Sequence, residues 1–205
     1  MSAVPLTARD EMMAKELRLA MLVACSSSSG TGAMIADWLH ETASDLSSFD
    51  VDRLDLAEWQ LPPVPTLAPA PAVEESARRL GGRLEDADAY VVVTPEYNHS
   101  FPAQLKIVID WNHKQWQAKP VTFVSYGGRS GGIRAAEQLR QVFAELHAVS
   151  LRDGMSFHGP RDRFGADGRP EDVAGARTAA KVMLNQLSWW ARALADARRK
   201  TPYTA

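Results

Sequence analysis

The sequence predicts an α/β domain in which a parallel sheet carries helices on both faces. Three observations predict it. Short apolar runs alternate along the chain with stretches of helical spacing. Most of these runs are continuous, which suits strands covered on both sides. The 205 residues are 45% hydrophobic, enough for one sizeable core.

Each element can be justified in order. Residues 17–24 (LRLAMLVA) read as a buried first strand. Residues 51–56 alternate and predict a second. Residues 89–93 (AYVVV) and 121–124 (VTFV) are uninterrupted and rich in β-branched and aromatic side chains, and residues 148–151 form a weaker fifth strand. Helices fit the gaps: 31–46, then 73–87 after a proline-rich surface loop (LPPVPTLAPAPA), 102–113, 131–146 and 171–198. In the fourth, Ile133, Ala136, Leu139, Phe143 and Leu146 recur at helical spacing. Strands alternating with helices imply right-handed βαβ units. One domain is expected over residues 17–198, between a flexible N-terminal extension (1–16) and a tail (199–205).

Composition excludes several classes. A net charge of −2 with no long run of one sign argues against a nucleic-acid footprint or a polybasic membrane patch. The single cysteine, Cys25, rules out an intrachain disulfide and fits a cytoplasmic location. The N-terminus lacks the apolar core of a signal peptide, and no apolar run approaches the about 20 residues of a membrane span. The five histidines show no metal-ligand spacing, so no metal is expected.

A sheet of this kind binds ligands beyond the carboxyl ends of its strands. The loops there read CSSSSGTG, TPEYNHSFP and SYGGRSGG. In the first, Ser26, Ser27, Ser28, Ser29, Gly30, Thr31 and Gly32 join a strand to a helix N-terminus. Free N–H groups, hydroxyls and close backbone approach suit a phosphate there, without any lysine or arginine. A serine-rich helix cap is the plain alternative. A dinucleotide fingerprint is the other: Asp52 lies about twenty residues after Gly32, but Ile35 stands where the third glycine belongs.

In the second loop, Pro95 and Pro102 stiffen the chain. Glu96, Tyr97 and Asn98 either meet a flat heterocycle edge-on or form a rigid turn that caps the next helix. Glu96 is read as a structural hydrogen-bonding group, not as a base. His99 either lines an acceptor pocket or donates a proton. In the third loop, Tyr126, Gly127 and Gly128 follow the strand. Arg129 either pairs with a nucleotide phosphate or stays solvated. No G-x-S-x-G elbow surrounds Ser125, so it is not read as a nucleophile.

The segments YVVVTPEYNHSFPAQLKIVIDW and VSYGGRSGGIRAAEQLRQVFAEL closely resemble the characteristic blocks of the NADPH-dependent FMN reductase family, and the order of elements matches from about residue 17 to 195. The resemblance implies a flavodoxin-like three-layer sandwich with a five-stranded parallel sheet in the order 2-1-3-4-5. It implies FMN as cofactor and NADPH or NADH as donor, with a quinone, azo compound, metal oxyanion or free flavin as acceptor in ping-pong fashion. An electron carrier, a redox sensor or a flavoenzyme with a dedicated substrate are the alternatives. Carried over, the phosphate lies along residues 26–32, the isoalloxazine edge meets Pro95, Glu96, Tyr97 and Asn98, and the pyrimidine side lies near Tyr126, Gly127 and Gly128. Arg129 and His99 fall on the substrate side, and no obligate catalytic side chain is named. The family's first loop commonly carries arginine; Ser27 and Gly30 stand at those places here, which weakens the expectation of tight FMN binding and of NADPH preference.

Two further expectations concern surfaces. Leu105, Ile107, Val108, Ile109 and Trp111 exceed the single stripe of a surface helix. They predict either extra core packing or, as the resemblance implies, a homodimer or homotetramer seam through helix 102–113. Residues 152–170 are polar and glycine-bearing, a segment that either covers the neighbouring site or forms a flexible loop.

Overall fold

The protein is described from a computed structural model covering residues 16–24 and 30–204. The chain runs β1 (Leu17–Val23), α1 (Thr31–Leu46), β2 (Phe49–Asp55), α2 (Pro71–Asp86), β3 (Ala89–Pro95), α3 (Ala103–Asp110), β4 (Pro120–Gly127), α4 (Ile133–Glu145), β5 (Val149–Ser150), β6 (Met155–His158), α5 (Pro160–Arg163) and α6 (Val173–Lys200). All strand pairs are parallel, in the order β2-β1-β3-β4-β5, with β6 also paired to β4. This is the predicted sandwich.

Alternation along the buried strands supplies both faces. In β1, Leu19, Met21 and Val23 join Ile35 and Leu39 of α1 and Met183, Leu184 and Leu187 of α6 in one core. Ala20 and Leu22 point the other way, to a second core with Leu80 and Leu84 of α2, Leu105 and Val108 of α3, and Leu139 and Phe143 of α4. Among the described residues, no helix is long and apolar enough to cross a membrane.

Three expectations need correction. The fifth strand is split. β5 pairs only with Pro120 and Val121, while β6 pairs with residues 124–127. Between them Thr122 Oγ1 donates to Asp153 O at 2.7 Å. A Cβ on Gly154 would stand 2.5 Å from Phe123 O. Backbone therefore presses against β4 there, and glycine permits it. Residues 152–170 also contain more order than a flexible loop: they hold β6, α5 and a bridge between Phe164 and Pro170.

The helix predicted over 102–113 stops at Asp110. Its apolar surplus is absorbed within the protomer. Leu105, Val108 and Ile109 are buried in the core. Ile107 and Trp111 are half-buried against it, and the Trp111 indole N–H donates to Pro62 O at 2.8 Å, under the proline-rich loop.

Candidate functional site

At the carboxyl ends of the strands, residues 30–32, 95–97, 126–128 and 159–162 surround a cavity of about 470 Å³. Small-molecule sites commonly span about 300–1,000 Å³. Three of these walls are the loops that the sequence singles out. The fourth is not.

The second loop is a tight turn. Tyr97 N–H donates to Ser100 O at 2.8 Å and Ser100 N–H returns to Tyr97 O at 3.1 Å. Asn98 and His99, between them, have φ of 50° and 76°. Positive φ at both central residues is the type I′ geometry, for which asparagine and histidine are among the tolerant side chains. Gln138 of α4 holds the tip, donating to His99 O at 3.0 Å and accepting from Ser100 Oγ at 2.6 Å. Asn98 and His99 therefore sit at an exposed tip, outside the cavity wall, while Pro95, Glu96 and Tyr97 form it.

Glu96 joins this loop to the next. Its carboxylate accepts from Ser130 Oγ at 2.6 Å, from the Arg134 backbone N–H at 3.2 Å and from Arg134 Nη1 at 2.9 Å. Burial opposes its charge, but these bonds and the Arg134 cation outweigh it and hold the carboxyl below its ordinary value. Its backbone N–H is also used, donating to Tyr126 O at 3.1 Å.

The glycines of the third loop divide into two kinds. Gly131 and Gly132 have φ of 62° and 84°, and a Cβ on Gly132 would stand 2.6 Å from Tyr126 N. These two let the chain turn tightly beneath β4. The buried Ser125 hydroxyl closes that turn by donating to Gly131 O at 2.9 Å, so it is structural. Gly127 and Gly128 line the cavity instead. Arg129 is exposed and outside the wall, with its carbonyl 3.3 Å from His158 Nδ1.

For the first loop, Cys25, Ser26, Ser27, Ser28 and Ser29 lie outside the described residues. Gly30 precedes α1 with φ of 107°, and that helix start has no side-chain cap among the described residues. The N–H groups of Thr31, Gly32 and Ala33 have no partner inside the helix, and Thr31 and Gly32 face the cavity. Asp52 sits within β2 beside Ala20 and accepts from Arg83 Nε at 2.9 Å. That ion pair occupies the carboxylate that a dinucleotide fingerprint would need at a strand end.

The sequence pattern of the NADPH-dependent FMN reductases matches residues 17–159, which include three of the four walls and the first residue of the last. The chain belongs to the NADPH-dependent FMN reductase family. It is an enzyme of that type, with FMN as cofactor and NAD(P)H as electron donor. An NAD(P)H-dependent FMN reductase of Schizosaccharomyces pombe is 33% identical over 137 residues, 63% of this chain and 67% of that protein. An NADPH:quinone oxidoreductase of Arabidopsis thaliana is 29% identical over 160 residues, 72% of this chain and 80% of the other. In fold, the chain is similar to a flavoenzyme NAD(P)H:(acceptor) oxidoreductase from Paracoccus denitrificans. The TM-score is 0.67 at 22% identity, over 86% of this chain and 97% of that one.

The family match ends at Gly159, where the fourth wall begins. Sequence reasoning missed residues 159–162 because their placement depends on contacts far along the chain. Phe157 packs edge-on against Trp38 of α1, with ring centroids 5.8 Å apart. Phe164 packs in turn on Phe157 at 5.1 Å. The paired aromatic residues either side of HGPRDR were the available signal.

Proposed function

We propose that the chain holds FMN in this cavity and passes reducing equivalents from NAD(P)H to a quinone, azo compound, metal oxyanion or free flavin by a ping-pong mechanism. The carrying observation is the convergence of three chemically distinct loops on one cavity of about 470 Å³. The residues present fit the cofactor. First-turn amides without a partner among the described residues, and the Thr31 hydroxyl, suit a phosphate at one end. At the other, a Cβ on Gly128 would meet no protein atom within 4 Å, which leaves its backbone open to a ligand.

When bound, FMN supplies the hydride chemistry. The protein binds and orients it. Residues 26–32 take the phosphate, Pro95, Glu96, Tyr97 and Asn98 the isoalloxazine edge, and Tyr126, Gly127 and Gly128 the pyrimidine side. The backbone N–H of Gly128 is suited to stabilise negative charge there without reorganising, whereas Gly127 is paired with His158 in the sheet. The Glu96 and Tyr97 amides are engaged in the loop, and Asn98, at the tip beyond the cavity wall, would meet the flavin only at its outer rim. No side chain acts as an obligate acid or base: Glu96 is fully engaged. Donor and acceptor would share one face in turn, and Arg129 and His99, both outside the cavity wall, are the residues assigned to that side.

We also propose a homodimer or homotetramer through the outer surface beside α3, where Lys106, Asp110, Val142 and Leu146 edge a shallow groove.

The deciding experiment is anaerobic. FMN is added to the purified protein, and the visible spectrum is followed during separate NADPH and NADH titrations. A perturbed flavin band that bleaches rapidly is expected. A bound flavin that stays oxidised would instead favour an electron carrier or sensor.

A further inference from the structure

The first loop has no basic residue, yet a phosphate monoester carries nearly two negative charges at neutral pH. The fold brings a cation to the same cavity from elsewhere. After β6 the chain turns at Gly159 (φ 53°) and again at Gly168 (φ 74°). Gly165 N–H donates to Arg169 O at 2.8 Å, closing a compact lobe between them. The lobe folds back onto α1. Asp167, Gly168 and Arg169 share a smaller cavity with Gly30, Met34 and Asp37, so Gly30 stands between the two hollows. Arg161 thus lines the main cavity together with Gly30, Thr31 and Gly32.

Arg161 is exposed and makes no ion pair among the described residues. Asp162, beside it on the same wall, has no cationic partner among them either. A guanidinium is suited to a phosphate because its planar fork presents several donors at once.

Resting on the reading of this cavity as the FMN site, we propose that Arg161 supplies the counter-charge for the FMN 5′-phosphate that the serine-rich loop lacks. Asp162 limits the affinity, because its carboxylate repels the same anion. The cation comes from α5, after the last strand, and only the folded chain brings it to the same cavity as the N-terminus of α1.

The test compares FMN with riboflavin, which lacks the phosphate, by flavin fluorescence titration of the full chain without nucleotide. Arg161→Ala should weaken FMN about five- to tenfold and leave riboflavin unchanged. Arg161→Lys should recover most of the loss, and Asp162→Asn should tighten FMN alone. Raising salt should weaken FMN binding in the wild type more than in Arg161→Ala. If Arg161→Ala leaves FMN binding unchanged, or weakens both flavins equally, the assignment is overturned. If the wild type binds neither flavin, the FMN reading itself fails and takes this inference with it.

Discussion

Arg134 grips Glu96 twice, through its own backbone N–H at 3.2 Å and through its guanidinium at 2.9 Å. A carboxylate from the loop after β3 is thereby held at the start of α4, where the helix dipole also favours negative charge. Glu96→Ala should lower stability by about 1–3 kcal/mol, measured by urea unfolding, and weaken FMN binding through loss of the loop. The pH dependence has a definite sign. Because the folded value is lowered, the contribution is complete above the ordinary value of 4.5 and is lost as pH falls below it. Glu96→Gln should flatten that acid limb.

The two kinds of glycine in SYGGRSGG should separate stability from binding. Gly132→Ala, at positive φ and with Tyr126 N only 2.6 Å from the new Cβ, should cost about 2 kcal/mol or more in thermal or urea unfolding. Gly128→Ala meets nothing within 4 Å and should leave Tm unchanged while weakening FMN binding. A Gly128→Ala protein with wild-type FMN affinity would place the flavin elsewhere.

His99 tests whether the loop tip is conformational. At φ of 76° a β-branched side chain is strained. His99→Val should therefore lose about 1–2 kcal/mol in urea unfolding, whereas His99→Gly should be close to neutral. If His99→Gly keeps its stability but loses turnover, the imidazole has a role in the reaction.

Lys119 sits beneath the opposite end of the sheet. Its ammonium donates to Leu84 O at 2.9 Å and Glu85 O at 2.7 Å and lies near Tyr90. Burial, helped by the charge of Arg198 and opposed by that of Asp88, lowers its value from 10.5 to about 8. The unfolded chain then holds the extra proton above pH 8, so stability should rise from about pH 8, by up to about 1.4 kcal/mol per unit. Above the ordinary tyrosine value of 10.0 the trend is opposed, because burial keeps Tyr90 protonated in the fold. Lys119→Met should abolish the rise between these limits in chemical denaturation.

The α3 surface separates core from seam. Leu105→Glu and Ile109→Glu place charge at fully buried positions and should unfold the protomer. Val142→Glu with Leu146→Glu, on half-buried positions beside the groove, should keep the far-ultraviolet dichroism and reduce the mass seen by light scattering. An unchanged mass would rule out this surface as the seam.

The sequence by itself determined the layered sheet and the ends of its strands. Continuous runs such as AYVVV can be buried only between two helical layers, and that constraint is local. It also singled out three of the four cavity walls, because serine, proline and glycine clusters break such runs visibly. Only the tertiary structure decided the rest. Gly128 and Gly132 look alike in sequence, and what distinguishes them is the backbone of Tyr126 against Gly132. Leu105 and Ile109 fit a seam as well as a core until the second layer covers them. Arg161 comes to line the same cavity as the start of α1, where Phe157 packs on Trp38, a contact between residues more than a hundred positions apart. Local periodicity carries no information about such pairs: they form when loop closure is repaid by burial, which is a property of the whole fold.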